Sequence, residues 1–261
     1  MKAPALLSLA YGFALCGCAT QVRPPAWAGI DAPAAVRMCQ SDPALGDASR
    51  LLLPGMDGYL LQRSDCWSDK SGIARAACSR GQGAAYEDLS VLVSASASDW
   101  SDALQSRWPE VGRKGPFTIR ESGEGDGWSA FVGDRILITA TSRRLLEECL
   151  SRVDDDQAAR EGTGLPDLIH GGKHQTAIWV ARRLGDVSIT AEWGKDATSV
   201  SARIEGDRRQ PVASEFAAEL KAVVTGENAA WLRVAIPVGI DQGALHPFVV
   251  MEGLFGKWPV Q

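Results

Sequence analysis

Val187-Ser188-Ile189-Thr190-Ala191-Glu192-Trp193, then Gly194-Lys195-Asp196, then Thr198-Ser199-Val200-Ser201-Ala202-Arg203-Ile204-Glu205, is the stretch whose pattern decides the fold. Val187, Ile189, Ala191 and Trp193 alternate with Ser188, Thr190 and Glu192. Beyond the turn, Thr198, Val200, Ala202 and Ile204 alternate with Ser199, Ser201, Arg203 and Glu205. Successive side chains of a strand point to opposite sides, so a period of two means one dry face and one wet face. Two such runs joined by a short Gly-containing turn predict an antiparallel hairpin, half buried and half solvated.

Working outward, Ala177–Leu184 reads as a preceding strand. Pro211 suits the first turn of a helix carrying Val212, Phe216, Leu220 and Val223 on one stripe. Trp231–Pro237 returns as a strand, and Pro247–Phe255 as a last helix. Upstream, Gly58–Arg63 and the valine-rich Leu89–Ser96 are strands, with Ser98 capping a helix that begins Asp99-Trp100-Ser101. Phe117–Arg120, Trp128–Val132 and Arg135–Ala140 follow as strands, with Gly133-Asp134 as a hairpin signal. Ser142 can cap a helix with Leu145, Leu146, Cys149, Leu150 and Val153 on one face. A polar linker then runs from Asp154 to about Gly172, and a short helix is expected around Ala34–Gln40.

Strands interrupted by helices in this order predict an α+β fold, an antiparallel sheet or sheets with helices packed on one face. Two ferredoxin-like halves, 86–153 and 175–256, fit the order of elements within a globular region 36–261.

Composition limits the function classes. The apolar fraction is 45%, enough for a sizeable core. The formal charge is −5 and the pI near 5.3, against the basic face that a nucleic-acid binder needs. No nucleic-acid partner is expected.

The N-terminus carries an address. Lys2 precedes an apolar run, Ala5–Leu15, and Leu15-Cys16-Gly17-Cys18 follows. A positive start, an apolar core of roughly 7–15 residues and a small-residue cleavage site define a secretory signal. The run is too short for a bilayer span, which takes about 20 apolar residues. Leu15-Cys16-Gly17-Cys18 resembles the lipobox of a bacterial lipoprotein. That resemblance implies a signal peptide over 1–17, cleavage behind Gly17, and a diacylglyceryl thioether on Cys18 as the new N-terminus. Cys18 is then the lipidation site, through which the chain meets its membrane partner. Ala19, where inner-membrane retention in Gram-negative lipoproteins would use Asp, implies an outer-membrane location facing the periplasm. The Pro-rich segment 18–35 reads as a tether.

Export would place the remaining cysteines, Cys39, Cys66, Cys78 and Cys149, where disulfides form. Four cysteines allow three pairings. Cys66 and Cys78 flank the polar Trp67–Gly72 segment, so a local bridge between them is expected; Cys149 reads as a buried thiol, with a Cys39–Cys149 bridge as the alternative.

No residue is assigned a catalytic or metal-binding role, and no cofactor motif is present. His170-Gly171-Gly172-Lys173-His174 has ligand spacing only if helical, which the two glycines oppose. Asp154-Asp155-Asp156 lacks the alternation of a calcium loop, and His246 borders the last helix. Among the nine tryptophans, Trp67 lies in the Cys66–Cys78 loop and is the candidate for contact with a protein or glycan. The sequence therefore predicts a non-catalytic binding module of the cell envelope. The alternatives are a periplasmic hydrolase whose site assembles only in the fold, and a carrier of a small apolar ligand.

Overall fold

A computed structural model describes residues 33–64, 73–94, 108–153, 177–239 and 245–257, apart from single positions at 82, 124, 126, 134, 195 and 196. The predicted hairpin is present as β9 (Val187–Gly194) and β10 (Ser199–Glu205), with Ala202 opposite Ala191 and Ile204 opposite Ile189. β8 (Ala177–Leu184) pairs with β9, and β12 (Trp231–Pro237) with β10. β11 (Val223–Glu227) forms that edge of the sheet.

The other half starts from β1 (Gly58–Ser64), which pairs with β8 on one side and with β2 (Ile73–Arg80) on the other. β3 (Glu87–Ser94), β7 (Ile136–Ala140), β6 (Trp128–Val132), β5 (Phe117–Glu121) and β4 (Glu110–Lys114) complete the order. The described strands thus form one sheet, β11-β12-β10-β9-β8-β1-β2-β3-β7-β6-β5-β4, and every pairing is antiparallel.

Register divides the sheet into two faces, and the helices divide with it. Tyr59 and Leu61 of β1 stand with Cys78, Ala76, Ala181 and Trp179 on the first face. This face continues through Leu89, Val91, Ile138 and Ile119 beneath α1 (Pro33–Ser41), α2 (Pro43–Leu51) and α3 (Arg143–Leu150). Leu60 stands with Ala77 and Val180 on the second face. That face continues through Ala191, Ala202 and Val234 beneath α4 (Arg209–Leu220) and α5 (Pro247–Glu252), which runs on into a π-helical turn, Gly253–Lys257. The described helices therefore pack on both faces of the sheet, correcting the expectation of one face. The strand alternation shows that each half has a dry side but not which side the other half uses. Among the described residues the C-terminal half reads β-β-β-α-β-β-α rather than the β-α-β-β-α-β order of a ferredoxin-like unit, and its sheet is continuous with that of the other half through β1 and β8.

Local chemistry explains the helix ends. Asp42 caps α2, its Oδ1 accepting from the Ala44 and Leu45 N–H groups at 3.1 and 3.4 Å, with Pro43 in the first turn. The Asp42 carboxylate also lies 3.3 Å from the guanidinium of Arg63, a buried β1 side chain, tying α2 to the sheet. Ser142 caps α3 as expected, accepting from Leu145 N–H at 3.3 Å. Its hydroxyl also donates to Glu87 at 2.7 Å, and this bond, with the Arg80 guanidinium, holds the Glu87 carboxyl below its ordinary range. The α4 stripe ends at Leu220 because Lys221 turns left-handed at φ 54°. Val223, expected on that stripe, instead starts β11 and is 62% exposed. Gly206 makes the turn out of β10 at φ 114°, where a Cβ would stand 2.1 Å from the Asp186 carbonyl oxygen.

Candidate functional site

Two helices cover the second face of the C-terminal half, leaving the wet residues of β9, β10 and β12 on the first face. α1 rests over the neighbouring β8, and its Pro33 end forms a wall. Between that wall and the strands lies a polar cleft of about 330 Å³, lined by Thr190, Glu192, Ser201, Arg203, Glu205 and Arg233 together with Pro33. A volume of this order lies at the small end of ligand pockets.

Register builds the floor. Arg203 of β10 is directly opposite Thr190 on one side and Arg233 on the other; Glu205 is opposite Trp231, and Ser201 opposite Glu192. Both guanidiniums lie over the Trp231 indole, at 5.3 Å for Arg203 and 5.6 Å for Arg233. Arg203 pairs with Glu205 at 2.5 Å, and its Nε is buried without an acceptor. Glu192 faces Arg37 of α1 at 3.8 Å. Among the described residues, Arg233 has no carboxylate partner. Like charges directly opposite each other weaken a strand pair, so Arg203 and Arg233 cost this sheet stability where they stand.

Of the residues singled out from sequence, Cys18, Cys66 and Trp67 lie outside the described residues, as do His170, His174, the Asp154–Asp156 run and the Ser98-capped helix. Cys78 is a free thiol, which corrects the Cys66–Cys78 bridge. It stands in mid-sheet between Tyr59 and Leu89, its side chain in the first core beneath the helices. Burial pushes the Cys78 thiol up to about 12. Cys149 is a buried thiol, as expected for the apolar face of α3; its Sγ donates to the Leu51 carbonyl at 3.3 Å, and burial pushes it up too. Cys39 is also free, half-buried 3.8 Å from the Ser49 hydroxyl and raised to about 11 by burial, so the Cys39–Cys149 bridge is absent. His246 caps α5 through Nδ1, which accepts from Phe248 N–H at 3.3 Å, and its ring stacks on Phe248.

The cleft residues were not singled out from sequence. Their wet-face positions were readable on β9 and β10, but the register that sets Arg203 against Arg233 and Trp231 has no local signal. Among the described residues, no three His, Cys, Asp or Glu side chains converge where they could hold a metal ion, and no helix is long and apolar enough to cross a membrane. No family model, curated protein or solved structure matches the chain.

Proposed function

We propose that this protein is a cell-envelope lipoprotein, held to the outer membrane through lipid on Cys18, whose domain works by binding rather than by catalysis. One observation carries the binding half of the reading: α1, β9, β10 and β12 together build a polar cleft on the first face of the C-terminal half, opposite the face that α4 and α5 cover. Its side chains are charged and hydroxylated, which suits a polar partner better than the apolar cargo of a carrier. Among the described residues the histidine is His246, which is engaged in capping α5 rather than presented as a base.

The test places a photo-crosslinking residue at Ser201, in the cleft, or at Glu219, on the exposed side of α4, in the full-length chain in its native envelope. Ser201 should give a discrete adduct that Glu219 does not, and Cys18→Ser should move the protein out of the membrane fraction. Equal labelling from both positions, or silence from Ser201, overturns the cleft as the binding surface. A Cys18→Ser protein that stays processed and membrane-bound overturns the anchor.

A further inference from the structure

Resting on that reading of the cleft, we infer that its ligand is a hydroxyl-rich monocarboxylate, a uronic-acid sugar or a glycan ending in one, with Arg233 gripping the carboxylate. The charges of the cleft determine the anion. Glu205 answers Arg203 and Glu192 answers Arg37, which leaves Arg233, of the cations at the cleft, without a carboxylate among the described residues. One unanswered cation beside two carboxylates suits a monoanion; a phosphate dianion would meet repulsion from Glu192 and Glu205 in the same small space. A guanidinium presents a planar fork that matches a carboxylate in bidentate fashion. Trp231 holds the Arg233 fork in place from beneath, and Arg203 stands opposite across the strand pair. An incoming carboxylate therefore also relieves the Arg203–Arg233 repulsion, which couples ligand binding to stability.

The remaining lining determines the rest of the ligand. The Thr190 and Ser201 hydroxyls donate and accept, while the outer oxygens of Glu192 and Glu205 accept, so the wall can serve several hydroxyl groups at once. The guanidiniums occupy the Trp231 ring, so little aromatic surface is left for an apolar ligand. The cavity is of a size to take one sugar unit, with a longer chain continuing into solvent.

The full-length chain in detergent micelles is titrated calorimetrically with glucuronate, glucose, inorganic phosphate and N-acetylglutamate. Glucuronate should bind saturably and at least about tenfold more tightly than the other three, the factor expected for a charge-assisted bidentate contact joined to hydroxyl recognition. Arg233→Gln should weaken glucuronate at least about tenfold, and Arg233→Lys, which keeps charge without the fork, should fall between it and the parent. Arg208→Gln, at an exposed position outside the cleft, should leave binding unchanged. The thermal midpoint of each variant establishes that it is folded. No saturable glucuronate binding overturns the inference, as does binding that Arg233→Gln leaves intact. Phosphate binding as tightly as glucuronate would mean a phosphorylated ligand, and N-acetylglutamate doing so an acidic peptide; either overturns the sugar. If Ser201 cross-links in the envelope while glucuronate fails here, the ligand class falls and the binding surface stands.

Discussion

The two halves of the sheet solve the same problem on opposite sides. In the N-terminal half, small side chains such as Ala74, Ala76 and Cys78 let α2 sit close on the first face, and α3 closes the rest. In the C-terminal half, larger residues such as Ile189, Ile204 and Ile236 meet Phe216 and Leu220 on the second face. β1 and β8 join them and are dry on both sides: Leu60 and Leu61 are neighbours in the chain, face opposite ways, and are both fully buried. The opposite placement of the helices decides where a partner has room. The N-terminal half keeps its first face under helices, and the C-terminal half leaves the same face to polar side chains and the cleft.

The junction should be the most sensitive point. Trp179 is fully buried on β8 in the first core, directly beside Leu61. Trp179→Ala should cost about 3–5 kcal/mol in denaturant unfolding and lower both halves in a single transition. Two separated transitions in the parent would mean that β1–β8 pairing does not couple the halves.

Asp42→Ala should come next, at about 2–3 kcal/mol, because it removes the α2 cap and strips a carboxylate from buried Arg63. Asp42→Asn keeps an acceptor for the cap and should recover part of the loss, so the pair of variants separates capping from charge. Both effects belong to the first core, and hydrogen exchange in α4 should change least.

A third contrast is chemical. All three described thiols, Cys39, Cys78 and Cys149, lie in or against the first core, and none lies in the second. Burial raises each above its unfolded value. An acid group raised on folding stabilises fully below its unfolded pKa, about 8.5–9, and loses that stabilisation as pH climbs towards the folded value. For the two fully buried thiols together the loss should be about 3–4 kcal/mol by about pH 10, measured as stability against pH. Exchange in α2 and α3 should accelerate before that in α4, and a uniform response would break the contrast.

The smallest effect has the opposite sign. Arg233→Gln removes a like charge from opposite Arg203 and should stabilise the unliganded protein by a few tenths of a kcal/mol. Thermal unfolding checks it, and a clear loss of stability would make Arg233 a structural residue.

How far the sequence led depended on whether a signal was local. Period-two alternation fixed β9 and β10, and Ser142 followed by the Leu145–Leu150 stripe fixed α3, because each signal lies within a few residues. β2 is faint in the sequence because Ala-Arg-Ala-Ala-Cys lacks the β-branched residues that mark strands, its small side chains being what close helix packing requires. β11 is hidden in the sequence because Val223 continues the α4 stripe, and only Lys221, which is left-handed, and Ala222 separate them. α2 is weakly marked although Asp42-Pro43 is a helix-start signal, since its buried set of Ala44, Leu45, Ala48 and Leu51 is small and short. The cleft was illegible for a different reason: Arg203, Arg233 and Trp231 meet through a register spanning residues 199–237, and Arg37 joins them from the far end of the chain.

Thiol labelling along β1 and β10 tests the two-faced sheet most directly. Leu60→Cys and Leu61→Cys are read by peptide mass in the native protein, with Ser201→Cys on the open face as the reference. Burial beneath α5 on one side and α2 on the other predicts that both β1 positions resist labelling like Cys78 while Ser201→Cys reacts quickly. Labelling of either Leu60→Cys or Leu61→Cys as fast as Ser201→Cys would contradict helices on both faces.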